Sequence, residues 1–224
     1  MPYTQTEAVV LKKVDFSETS VIVTFLSPHY GRLACIAKGA RRKGNPLHAA
    51  LDTFNRLELT CAWKESRQVQ LLIDASVLDS YSTLKQDLER SAAAAFILET
   101  AFHAALANHA AEEQYNAVIF GLESLSEKTK EPLAVVIPVI YALLRVSGVA
   151  PTGSDDSIHP FLRGSTLAER QEIIRVLHGL AEGKEELALS MGLTVVNFLY
   201  RYASYHLEAP LKSFSFLNSV FKIH

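Results

Sequence analysis

The sequence predicts an α+β protein: an all-β domain over residues 1–80, then an α-helical domain over 81–224. Three observations lead there. Segments rich in Val and Ile, some alternating with period two, fill the first 80 residues, and apolar residues three and four apart take over from Thr83. Clusters of Gly, Pro, Ser and Asp punctuate the rest.

Glu7 to Lys12 and Thr19 to Leu26 read as the first two strands, joined by a turn at "DFSE". "SPHYG", Ser27 to Gly31, turns the chain into a third strand, Arg32 to Lys38. Leu57, Leu59, Cys61 and Trp63 alternate with Arg56, Glu58, Thr60 and Ala62, which puts one face of a fourth strand toward a core. "KESR", Lys64 to Arg67, closes a hairpin into the fifth, Gln68 to Ile73. Five strands in this span, with a longer connection between the third and fourth, match a small closed barrel of the OB type. An open half-sandwich gives a similar string.

The helical domain opens with capping-box spacing at Thr83 and Gln86, followed by Leu84, Leu88, Ala92, Ala95, Phe102 and Leu106 at helical intervals. A second helix is expected over Glu112 to Leu125, and a third from Pro132 to before Gly148, kinked at Pro138. Residues 149–164 lack periodicity and read as a loop or insertion. Thr166 and Glu169 form another capping box, opening a helix that Gly183 stops. A short helix around Glu185 to Met191 and a longer one from Thr194 to about Leu207 follow, and Phe214, Phe216 and Phe221 are expected to dock.

With 224 residues, 49% of them apolar, the chain can bury real cores, which argues against disorder. No cationic segment followed by a long apolar run opens it, so no secretory signal is expected. The uncharged stretch Pro132 to Leu144 is too short to span a bilayer, and a soluble cytoplasmic protein without membrane contact is the expectation. Cys35 and Cys61 are expected to be reduced packing residues.

Catalytic patterns are missing. The chain contains no Gly-x-Ser-x-Gly elbow, Walker loop or Gly-x-Gly-x-x-Gly, and its 8 histidines are scattered without metal-ligand spacing. Neither enzyme, cofactor nor metal is expected. Charge is the informative feature. Arg32 to Arg67 holds eight basic residues against three acidic ones, whereas the whole chain has 22 basic and 24 acidic. The densest part, "IAKGARRKGNPL", offers Lys38, Arg41, Arg42 and Lys43 between Gly39 and Gly44, just beyond the third strand. Such a loop suits a nucleic-acid backbone, although a solvated loop has the same composition. Phe16, Tyr30, Phe54 and Trp63 are possible base-stacking groups; parity favours the core for Trp63 and leaves Phe54 the better platform.

These residues carry a resemblance. "EAVVLKKVDFSETSVIVTFLSPHYGRLACIAKGARR", residues 7–42, resembles the start of the bacterial DNA repair RecO family, with its "ETS" turn, "GR" turn and "KGARR" loop in that order. "RYASYHLEAPLKSFSFL", residues 201–217, is similar to the family's carboxy-terminal segment. The resemblance implies an OB domain, a helical domain and a nucleoid-associated recombination mediator without enzymatic turnover. Such a mediator binds single- and double-stranded DNA, anneals complementary strands, cooperates with RecR, engages the acidic tail of single-strand binding protein and helps load RecA.

Carried over, Lys38, Arg41 and Arg42 become DNA-contact candidates, with Lys43 and Arg32 added on charge alone. For the partner tail, Arg145 beside Tyr141 and Leu144 is the candidate; its plain alternative is a cation favoured by the helix dipole. Many relatives hold zinc with two Cys-x-x-Cys pairs after a "GYAP"-like stretch. Here "GVAPTGSDDSIHPFLRG", residues 148–164, has no cysteine, so no zinc is expected. Two other readings stand beside the mediator: an OB-fold single-stranded RNA or DNA binder without annealing activity, and a protein-binding adaptor.

Overall fold

A computed structural model describes residues 2–153, 156–184 and 189–222. Five strands come first: β1 (Tyr3–Asp15), β2 (Val21–Ser27), β3 (Gly31–Ala37), β4 (Arg56–Ala62) and β5 (Val69–Asp79). They close into a barrel in the order β1-β2-β3-β5-β4, all pairs antiparallel except β3 with β5. Alternation sets which side chains fill it. Leu33, Cys35 and Ala37 of β3 and Leu57, Leu59 and Cys61 of β4 point inward and are at most 1% exposed. The two free thiols meet there, 3.4 Å apart.

Helix α1 (Leu47–Ala50) lies between β3 and β4, and Ala50 and Leu51 join the barrel core. The helices that follow are α2 (Ser82–Gln86), α3 (Leu88–Ala104), α4 (Glu112–Ser126), α5 (Pro132–Val146), α6 (Leu167–Ala181), α7 (Gly192–His206) and α8 (Ser213–Lys222). A 3-10 turn covers Asp156–Leu162. The short helix expected around 185–191 falls largely on residues 185–188, outside those described.

Two compact units result: Met1–Ser82 with Ala105–Asn116, and Thr83–Ala104 with Ala117–His224. Residues 105–116 join the barrel unit through backbone pairing. Ala107 bridges Gly31 and Arg32, and the Arg32 amide donates to the Leu106 carbonyl at 3.0 Å. In the helical unit, α3 packs on α5 and α8, α5 on α7, and α7 on α6. Buried Arg90 donates to the carbonyls of Leu125, Glu127, Lys128 and Lys130 and so ties off the carboxy-terminal end of α4.

Three expectations are corrected. The helix read from Thr83 to Leu106 is broken: α2 ends at Gln86, and α3 begins behind Asp87, whose carboxylate accepts from the Arg90 amide at 3.0 Å. Leu106 lies beyond α3 and is 67% exposed. Of the tail aromatics, Phe214 is buried and stacks on Tyr200 at 3.9 Å, whereas Phe216 faces solvent because α8 buries one face only. The capping box at Thr166 and Glu169 forms as read.

Candidate nucleic-acid interface

The chain leaves the barrel at Ala37 and returns to it at Ala40, which is 2% exposed and belongs to the core. That return forces a tight turn, and Gly39 supplies it with φ of 71°. Asn45 then locks the loop. Its side-chain amide donates to the Gly39 carbonyl at 2.9 Å, its Oδ1 accepts from the Leu47 amide at 2.9 Å, and its backbone amide donates to the Arg42 carbonyl at 3.1 Å. The Arg42 amide donates back to the Gly39 carbonyl at 2.9 Å. With the backbone so occupied, Lys38, Arg42 and Lys43 extend into solvent from a fixed frame.

Arg41 is used differently. Its amide donates to the Thr19 carbonyl at 3.0 Å, its Nη1 donates to the Ser17 carbonyl at 3.0 Å, and the same nitrogen lies 3.3 Å from the Asp15 carboxylate. This arginine staples the basic loop to the turn between β1 and β2. Inside that turn Phe16 is 60% exposed.

Arg32 does not join them. It is the second residue of β3 and Lys38 follows the strand's end, so about 20 Å of strand separates the two at roughly 3.3 Å per residue. Phe54 is no platform either: it is 9% exposed at φ of 74°, between α1 and β4, and this burial corrects the parity argument. Trp63 leans on the barrel core, half-buried, with its ring 4.6 Å from that of Tyr30. Arg56 is neutralised: its Nε and Nη2 donate to Glu7 Oε2 at 3.1 and 2.7 Å, and the Tyr115 hydroxyl donates to the same oxygen at 3.0 Å. The Arg56 guanidinium, followed by that hydroxyl, outweighs desolvation and holds the Glu7 carboxyl below its ordinary range. Sequence reasoning missed Asn45 and Ala40, although "GNP" is a turn signal of the kind that locates the former.

A groove of about 770 Å³ lies in the helical unit, lined by apolar Val135, Pro138, Val139 and Leu180 and by the cations Lys130, Arg145 and Lys184, with Glu131 as the one acid of its wall among the described residues. Tyr141 lines it, its hydroxyl pKa raised by burial and drawn back by Arg145. Lys130 sits 5.8 Å from the Phe120 ring centroid. Leu144 is fully buried and is not part of the wall.

The family model "Recombination protein O N terminal" matches residues 1–81, which include the barrel and its loop, and "Recombination protein O C terminal" matches 85–159. The chain belongs to the RecO family. Among curated relatives, it is 34% identical over 151 residues to the DNA repair protein RecO of Exiguobacterium sibiricum, covering 65% of this chain and 57% of that protein. The RecO of Desulfatibacillum aliphaticivorans is 28% identical over 153 residues, covering 68% of this chain and 59% of that one. The RecO of Rhodopirellula baltica is 38% identical over 92 residues, 41% of this chain and 34% of that protein. The chain thus spans less than two thirds of the length of these relatives.

This RecO-family chain does not fit the zinc site of which the resemblance speaks. Residues 148–164 hold no cysteine, and among the described residues no group of three or more His, Cys, Asp or Glu side chains is placed to hold a metal. Aromatic packing holds the described part of this segment instead. The Phe161 ring meets those of Phe198, Tyr202, Tyr205 and His206 at centroid distances of 6.5, 5.0, 5.6 and 6.1 Å. No helix among the described residues is long and apolar enough to cross a membrane.

Proposed function

We propose that this chain is a DNA-binding recombination mediator in recombinational repair. It anneals complementary strands and, with RecR, helps load RecA onto DNA coated by single-strand binding protein, without turning over a substrate. The observation that carries this reading is the pinned loop: three cations, Lys38, Arg42 and Lys43, on a frame fixed by Asn45, Gly39 and Arg41. A rigid cationic frame loses less conformational entropy on meeting phosphates than a floppy one, and it suits both single strands and duplex. Arg41 serves here through its staple, its side chain 40% exposed, and Arg32 stays outside this face.

The groove beside Arg145 and Tyr141 is the proposed seat for the acidic tail of single-strand binding protein. Its apolar lining and cations suit a peptide with an aromatic end and a terminal carboxylate. The test is strand annealing, followed by fluorescence quenching between complementary labelled oligonucleotides. Wild type should accelerate annealing, and Lys38→Ala/Arg42→Ala/Lys43→Ala should reduce the rate at least tenfold. Binding without acceleration would favour a plain single-strand binder, and no DNA binding at all an adaptor.

A further inference from the structure

We infer that Phe16 is a base-stacking platform that makes the loop face selective for unpaired strands over duplex. The inference rests on the loop face binding DNA and adds which form of DNA it takes. Phe16 sits at the tip of the β1–β2 connection, where its amide donates to the Ser20 carbonyl at 3.0 Å and the residue is 60% exposed. Both of its neighbours in sequence are stapled by Arg41: the Asp15 carboxylate at 3.3 Å and the Ser17 carbonyl at 3.0 Å. The turn that carries the ring is therefore tied to a loop that presents Arg42 and Lys43 to solvent. Val14, on the same parity of β1 and 50% exposed, extends the apolar strip.

The charges around the ring suit a polyanion. Lys13 is exposed on β1 just before it, and of the two acids of the turn Asp15 is bound by Arg41 and Glu18 is the opposing charge. An exposed aromatic ring bordered by cations on a DNA-binding loop face suits the face of an unpaired base with its phosphates alongside. Stacked and paired bases in duplex present no face to a ring at the surface, so duplex engages the cations alone. The other candidate for a platform, Phe54, is buried, and Trp63 leans on the core, which leaves Phe16 the most exposed of the four rings weighed from sequence.

The experiment is anisotropy titration of a labelled mixed-sequence single strand and of the matching duplex, with wild type, Phe16→Ala, Phe16→Trp and Lys38→Ala/Arg42→Ala/Lys43→Ala over a series of salt concentrations. Phe16→Ala should weaken single-strand binding about tenfold, leave duplex binding within twofold and keep the salt slope unchanged, because stacking releases no counterions. Phe16→Trp should restore single-strand affinity, and its added fluorescence should be quenched by single strand but not by duplex. Unchanged single-strand affinity in Phe16→Ala, or an equal loss on duplex, overturns the platform while a reduced slope in the triple variant keeps the loop as the DNA face. If the triple variant also binds as wild type does, the DNA face lies elsewhere and the platform falls with it.

Discussion

The two ends of β3 carry cations of the same parity, Arg32 and Lys38, yet they have opposite fates. At the Gly31 end a second segment closes over the strand. A side chain at Gly31 would put its Cβ 2.3 Å from the His109 carbonyl oxygen and 2.5 Å from that of Leu106, and the glycine sits at φ of 56°. Half-buried Arg32 is bracketed by the same backbone. At the Ala37 end the chain turns out on Gly39, is pinned by Asn45 and leaves Lys38, Arg42 and Lys43 in water. One end of the strand uses glycine to admit protein backbone, and the other uses it to present charge. Local charge density in the sequence does not separate these cases; what packs against each end does.

The largest effect is expected at the closed end. Gly31→Ala combines left-handed backbone with a clash against two carbonyls, and it should lower stability by about 3 kcal/mol or more in urea unfolding. At the open end Asn45→Ala removes the loop's lock and should cost about 1–3 kcal/mol, with faster amide exchange at Arg42 and Leu47. Between the ends, Lys38→Ala should reduce the salt slope of single-strand binding by about 0.7, while Arg32→Ala should leave it unchanged.

The smallest effect concerns the ion pair on the barrel wall. Glu7 has its folded pKa lowered, so its contribution is present above the unfolded value near 4.5 and is lost as pH falls through the folded one. Glu7→Gln should therefore lower stability at neutral pH by about 0.5 kcal/mol, since the Glu7 side chain is 44% exposed, and the difference from wild type should vanish in acid unfolding once pH has fallen below the lowered Glu7 value.

Much of this was legible in the sequence for identifiable reasons. The alternation Leu57, Leu59, Cys61 marks a strand with one wet face, and it forms β4 as read. The extension of β5 to Asp79 was not legible, because Ile73 to Asp79 is largely exposed on both faces and carries no periodic signal. The staple of Arg41 spans 24 residues of sequence, and the burial of Phe54 depends on a left-handed backbone that parity counting does not see. The loop's charge was visible from the start; its rigidity became visible only with Asn45 and Ala40 in place.

The most direct measurement of the central claim is the slope of log affinity against log salt for a single-stranded oligonucleotide, in wild type and in Lys38→Ala/Arg42→Ala/Lys43→Ala. Three phosphate contacts at roughly 0.7 each predict a slope shallower by about 2 in the variant, with an unfolding midpoint unchanged. Equal slopes and equal affinities in two folded proteins would contradict the account and leave the loop a solvated one.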